Sequence, residues 1–258
     1  MTTLAVQSVV VTTGILAAGW LAFALFCRWL LANPRGDVIT GIFYRSLQIY
    51  SKWRHGLEVD ASELVRANES IDSDESLAWL HDPANREPLV IVCNHTAGLD
   101  PLVVQAAVGR EVRWMMGSDM MLAKYDWFWK WAGVIPVNRT GRDLSSAKEA
   151  IKHLNAGGTL GVFPEGRIAK PRGTRLAFMA GVGVIVAKTG AHVLPVVIEG
   201  TPETATAWGS LAARSKTKIT LKRLRRYDAA YGGKEWSAAE IVKDLEGVFE
   251  SAGLRAKA

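Results

Sequence analysis

The stretch LVIVCNHTAGLDPLVVQAAVG, residues 89–109, decides how this chain folds. Val90, Ile91, Val92 and Cys93 form a short run of apolar, mostly β-branched residues, which reads as a buried strand. Asn94, Thr96 and Gly98 break that run. Asp100 followed by Pro101 is the signature of a helix start, a capping side chain with proline at the first helical position, and helical spacing resumes from there. His95 therefore lies where a strand empties into a loop, and Asp100 where the next helix begins. A histidine can take a proton from a hydroxyl, and a nearby carboxylate can fix its tautomer and stabilise the imidazolium. Ordinary capping explains Asp100 equally well. The two roles are compatible.

Outward from this unit the chain alternates. Apolar, β-rich runs recur at 89–93, 112–116, 134–137, 159–163, 193–198 and 218–224, with helical patterns at 100–109, 118–132, 143–156 and 175–189. Such alternation predicts an α/β domain: a mixed, largely parallel sheet flanked by helices. Ligands of such sheets sit beyond the carboxyl ends of the strands, where His95 and the residues after Phe163 both fall. Residues 58–87 are acidic and poor in periodic pattern and read as a loop-rich surface connector.

Met1 to Cys27 contains no charged side chain. The run is long enough to span a bilayer, and it lacks the basic n-region and short apolar stretch of a cleaved signal peptide. It is expected to be a retained N-terminal membrane-anchoring helix. The flanking Arg28, Arg35, Arg45, Lys52 and Arg54 place the following bulk on the cytoplasmic side. The next segment, VITGIFYRSLQIYSKW, mixes apolar and basic residues at helical spacing. It suits either a membrane surface or packing on the soluble domain.

Net charge is +6, unevenly spread. Residues 1–110 carry 8 Lys/Arg against 11 Asp/Glu, and residues 111–258 carry 23 against 14. A basic C-terminal half suits phosphate groups, acidic lipid or an acidic carrier protein. No nucleic-acid-reading motif is visible, so nucleic acid is not an expected partner. Two cysteines, Cys27 and Cys93, make neither a disulfide framework nor a metal-ligand spacing. The five histidines are scattered without zinc-hydrolase spacing, and no nucleophile elbow of the Gly-x-Ser-x-Gly type occurs. Cys93 and His95 fall on one strand face, yet a thiol inside an apolar run suits a core better than catalysis.

Two further stretches carry charge at strand ends. In GVFPEGRIAKPRGTR, residues 161–175, Glu165 leaves a strand beside Arg167, Lys170, Arg172 and Arg175. Guanidinium groups pair with phosphate oxygens bidentately, so this is either a phosphate pocket or a solvated charge run. In GVIPVNRTG, residues 133–141, Arg139 follows a strand in the same way. The segment YDWFWKWAG, residues 125–133, puts three tryptophans within five residues, a composition shared by headgroup-level membrane contacts and by cores.

The order Asn-His-x4-Asp, Gly-x-Ile-Pro-Val-Asn-Arg, Phe-Pro-Glu-Gly-Arg, Val-Leu-Pro-Val over roughly residues 88–200 resembles the glycerolipid acyltransferases, nearest to the lysophosphatidic acid (1-acylglycerol-3-phosphate) acyltransferases. The resemblance implies His95 as general base and Asp100 as its orienting partner. It implies an acceptor site shaped by Asn94, Arg139, Glu165 and Gly166, with Arg167 or Arg175 helping Arg139 to hold a phosphate, and Pro195 in the fourth block. The family often reads Pro-Glu-Gly-Thr-Arg, so here Arg167 stands one place early. The implied reaction moves a fatty acyl group from acyl-CoA or acyl-carrier protein to the hydroxyl of lysophosphatidic acid, with no further cofactor and no metal. Another lysolipid acceptor, or a silent lipid-binding membrane protein, are the alternatives. The expected partners are membrane lipids, the lysolipid and the acyl donor, at the inner membrane with the active domain cytoplasmic. The expected division is an anchor and amphipathic helix at 1–55, an acidic connector at 56–87 and an acyltransferase domain at 88–258.

Overall fold

The computed structural model describes residues 2–65, 73–82, 84–139, 143–228 and 235–257. The chain divides into two compact units, Met1–Ser46 and Leu47–Ala258. The first unit holds helix α1 (Thr2–Leu31) and the start of α2 (Val38–His55). Asn33 makes the turn between them: its amide donates to the carbonyls of Leu30 and Asp37 and accepts from the backbone of Arg35 and Gly36. Asp37 then caps α2 through the amide and hydroxyl of Thr40. Arg45 reaches back to the carbonyls of Trp29 and Ala32 and lies over the Trp29 ring. Val11–Leu31 is 21 residues of mean hydropathy 1.8, long and apolar enough to cross a membrane. Its Ile15, Leu16, Trp20, Leu21 and Phe23 are 61–72% exposed. A core helix would bury such side chains, each worth about 1.5–3 kcal/mol of burial.

The second unit is built on a seven-stranded sheet. Its strands are β1 (Glu58–Asp60), β2 (Leu89–Cys93), β3 (Val112–Gly117), β4 (Ile135–Val137), β5 (Thr159–Val162), β7 (His192–Glu199) and β8 (Lys218–Leu221), in the order β1-β8-β7-β2-β5-β3-β4. All neighbours are parallel except β7 and β8. A short separate pair joins β6 (Thr174–Arg175) to β9 (Arg255–Ala256). The mixed, largely parallel sheet expected from the alternation is what the chain forms.

Strand β2 lies at the centre, between β5 and β7, and all five of its residues are fully buried. Its period of two sends Val90 and Val92 to one face and Leu89, Ile91 and Cys93 to the other. The first face packs against α6 (Leu144–Asn155), α7 (Gly181–Thr189) and α9 (Ala238–Ser251). The second packs against α4 (Asp100–Val108) and, through Leu80, α3 (Ser73–His81). Cover on both faces is why the strand reads as an unbroken apolar run.

Three stretches differ from their sequence patterns. The acidic segment contributes edge strand β1, which pairs Val59 with Ile219, and helix α3. The 118–132 pattern becomes two 3₁₀ turns, Ser118–Met120 and Ala123–Tyr125, and the six-residue α5 (Asp126–Trp131). The Trp129 indole and the Tyr125 amide there both donate to the carbonyl of Leu122. Helix α7 starts at Gly181 rather than 175; before it Leu176 donates to Glu165, Phe178 to Glu246 and Met179 to the carbonyl of Pro164.

Candidate active site

The loops after β2, β3, β4, β5 and β7 all leave the same, carboxyl edge of the sheet. Asn94 continues β2 through its side chain: its carbonyl accepts from Ile198 N (2.8 Å) and its amide donates to Ile198 O (2.9 Å), as a peptide group would. Fully buried and with both polar atoms so used, Asn94 ends the strand and turns the next residue outward. The sequence expectation counted it among substrate-binding residues; in the fold both its polar side-chain groups meet Ile198.

His95 comes next, its side chain 17% exposed, and its Nδ1 lies 2.9 Å from Asp100 Oδ2. That oxygen also accepts the backbone N–H of Thr96 (2.6 Å) and of Ala97 (2.9 Å). An oxygen already accepting two N–H groups must accept from the ring as well, so Nδ1 carries the proton and Nε2 keeps its lone pair. The second oxygen, Oδ1, accepts the hydroxyl of Thr96 (3.1 Å), and the Thr96 hydroxyl oxygen lies 2.5 Å from that of Thr201 beyond β7. With Thr96 donating to the carboxylate, Thr201 donates to Thr96. Asp100 is wholly buried at the first turn of α4, where the helix dipole also favours a carboxylate. The N-cap of α4 is Leu99, with no side-chain cap, so Asp100 is not the helix cap the sequence suggested: its carboxylate instead ties back the His95 ring and the loop amides before it.

The ring is held flat as well. The imidazole of His95 stacks on Phe163 at 4.3 Å and 24°, and Phe163 stacks on Trp114 of β3 at 5.2 Å and 17°. Trp114 lies directly over Gly161, where an added Cβ would meet the indole at 2.4 Å. Only a residue without a side chain on β5 admits this row of three rings.

Glu165 faces inward, 5% exposed. One oxygen accepts the backbone N–H of His95 (2.9 Å) and the other that of Leu176 (2.8 Å), while the Ala169 amide donates to the carbonyl of His95 (2.8 Å). Residues 165–169 thus hold the backbone of His95 at both its N–H and its carbonyl. Burial pushes the Glu165 carboxyl above its ordinary range, against the backbone donors that hold it down. Gly166 adopts φ +69°, and Arg167 after it is exposed.

The basic residues separate. Arg139 is exposed at the end of β4 and pairs with Asp119 at 3.1 Å. Its guanidinium folds back over Gly117 at the end of β3, where an added Cβ would meet it at 2.5 Å. From there to β2 is two strand spacings, roughly 10 Å. Arg175 is not brought to this edge cluster: at 3% exposure it bonds Glu246 (2.8 Å) and Glu250 of α9 and faces the Phe178 ring. The expected phosphate-holding role is displaced by this brace between the segment after Glu165 and the C-terminal helix. Pro195 sits inside β7, paired with Val92. Cys93 is fully buried, and burial with the nearby Asp100 pushes its thiol well up, which removes the cysteine–histidine reading. No cluster of metal-ligating side chains occurs among the described residues. A cavity of about 60 Å³ beside the loop is lined by Thr96–Gly98, Ile168–Lys170 and residues 202–207. It has room for a few waters only.

His95, its Nδ1 tied to a buried carboxylate and its Nε2 without a hydrogen-bond partner among the described residues, thus stands at the carboxyl edge of an α/β sheet. A model of the Acyltransferase family matches residues 59–199, more than half the chain. The chain belongs to that family. It is 27% identical over 122 residues to chloroplast 1-acyl-sn-glycerol-3-phosphate acyltransferases of Arabidopsis thaliana and of Brassica napus. Those alignments cover 46% of this chain but only 34% and 35% of the relatives, so the match spans about a third of their length. Its fold is similar to the crystal structure of the 1-acyl-sn-glycerophosphate (LPA) acyltransferase of Thermotoga maritima, with a TM-score of 0.58 and 20% identity, over 81% of this chain and 77% of that one.

Thr201, Phe163 as a ring platform, and Trp114 are the site residues that sequence reasoning missed. Phe163 was within reach, because it opens the Phe-Pro-Glu-Gly motif. Thr201 lies 105 residues from Thr96, and no local pattern links them.

Proposed function

We propose that this chain transfers a fatty acyl group from an acyl-CoA or acyl-carrier-protein thioester to the free hydroxyl of lysophosphatidic acid, at the cytoplasmic face of the inner membrane. The observation that carries the proposal is the His95–Asp100 pair, with Nδ1 tied back and Nε2 left open. Nε2 removes the proton of the acceptor hydroxyl as its oxygen attacks the thioester carbonyl. The tetrahedral oxyanion collapses, the C–S bond breaks, and the thiolate takes a proton as it leaves. Asp100 stabilises the imidazolium between these steps. Arg139 holds the acceptor phosphate, exchanging Asp119 for the phosphate oxygens. Helix α1 keeps the protein at the bilayer that holds the acceptor.

The test is acyl transfer by detergent-purified protein with labelled acyl-CoA, or acyl-carrier protein, and a panel of lysolipids. Lysophosphatidic acid is expected as the best acceptor, and His95→Ala is expected to lower turnover by about 10²–10⁴-fold while the protein stays folded. Near-full turnover by a folded His95→Ala protein would contradict the mechanism. Preference for a phosphate-free acceptor would contradict the role of Arg139.

A further inference from the structure

The segment after β3 does something the site itself does not require. Its last part, α5, is fixed to the domain by one face: Trp129 is 8% exposed, bonds Leu122 O and packs on Trp208 at 5.9 Å. Phe128 and Trp131 are half-buried, and three other large side chains point away. Trp127 is 68% exposed, Leu122 39% and Tyr125 39%. Lys124 lies over the Tyr125 ring at 4.9 Å. An exposed indole, phenol and leucine beside lysines, held on a rigid platform, have the composition of a headgroup-level contact.

This platform continues into the rim of the His95 site. Trp208 closes residues 201–208, and residues 202–207 share the small cavity with Thr96–Gly98 and Ile168–Lys170. Across 118–131, 163–173 and 200–208, five exposed cations (Lys124, Lys130, Arg167, Lys170 and Arg172) stand against three exposed carboxylates (Asp119, Asp126 and Glu203). The rim is therefore cationic around an apolar point, which complements an anionic lipid surface. An acidic protein partner would meet the same charge but has no need of an indole at the tip.

We infer that residues 122–131 form a second membrane contact, separate from α1, in which Trp127, Leu122 and Tyr125 enter the headgroup layer of an anionic bilayer and set the carboxyl edge of the sheet against it. The contact stands on the geometry alone. Its consequence, delivery of a lipid acceptor to His95 from the bilayer side, rests on the function proposed above. Because the test measures no catalysis, failure of the contact and failure of that function are distinguishable.

The full chain, with Cys27→Ser to leave only the buried Cys93, is reconstituted into phosphatidylcholine vesicles containing one third phosphatidylglycerol. A single cysteine at Trp127→Cys carries an environment-sensitive fluorophore. Lys188→Cys is the reference, since Lys188 is exposed near the end of α7, at the opposite edge of the sheet. Leu122→Cys serves as a second reporter should the first variant lose its native circular dichroism. The expected result is a blue shift at position 127, severalfold lower quenching by aqueous iodide than at 188, and quenching by lipids spin-labelled near the headgroup. Replacing phosphatidylglycerol by phosphatidylcholine should weaken the shielding although α1 keeps the protein in the vesicle. Iodide access at 127 and 122 equal to that at 188 would overturn the inference. So would shielding by an added acidic carrier protein without lipid and none by vesicles.

Discussion

Replacing Asp100 by Asn removes one charge and almost no volume, at a group whose every contact is known. In the native site Oδ2 accepts from His95 Nδ1 and two backbone amides, and Oδ1 accepts from Thr96. An Asn placed with its carbonyl at the Oδ2 position keeps the three N–H donors, and the Thr96 hydroxyl can turn to accept from the new amide. The loop should persist. On the proposed mechanism, what is lost is the attraction between the carboxylate and the imidazolium formed during turnover. At 2.9 Å and an effective dielectric constant near 20, the gross attraction is about 6 kcal/mol, an upper bound of roughly four powers of ten in rate. The difference between a charge-assisted and a neutral hydrogen bond, about 1–1.5 kcal/mol, sets a lower bound near tenfold. The expected loss in kcat is thus about 10²–10³-fold, within the range for general-base catalysis. Asp100→Ala should differ in kind. It strands the amides of Thr96 and Ala97 without an acceptor, at about 1–3 kcal/mol each, so stability falls together with rate. Single-turnover acyl transfer and thermal unfolding of the two variants make the comparison. Wild-type kcat in Asp100→Asn, or equal losses of stability in both variants, would refute the two roles assigned to this carboxylate.

Gly161→Ala should force the Trp114 ring off β5 and tilt Phe163 beneath His95, with a stability loss of about 1–3 kcal/mol from overpacking. A matching fall in kcat with little change in acceptor KM is expected, and unchanged kcat in a folded variant would mean the stack does not orient the base. Arg175→Ala should destabilise the fold by roughly 2–4 kcal/mol, below the full cost of breaking a buried pair because Glu246 and Glu250 are partly exposed. Acceptor KM should stay near wild type; a rise confined to phosphorylated acceptors would restore this arginine to the substrate site.

Much of this was legible in the chain. The buried run at 90–93 followed by Asp-Pro announced a strand, a loop and a helix, because each element is specified by neighbours within a few residues. The His95–Asp100 pairing was equally local: five residues around one tight turn bring ring and carboxylate together. An uncharged apolar run from Met1 to Cys27 identified a helix with the length to cross a bilayer from composition alone. Charge at the end of a strand, by contrast, said nothing about direction. Arg167 and Arg175 looked alike in the sequence, yet one is exposed and the other is held by two glutamates more than seventy residues away. Asn94 read as part of a binding motif until β7 arrived beside it with Ile198. Glu165 stood at a strand end among cations in the sequence, and only the fold brings its two oxygens to the amides of His95 and Leu176. Local pattern fixes the elements because backbone geometry and burial act over short stretches. The task of each polar side chain is settled only when distant segments close on it and either satisfy its hydrogen bonds or leave them open, as they leave Nε2 of His95.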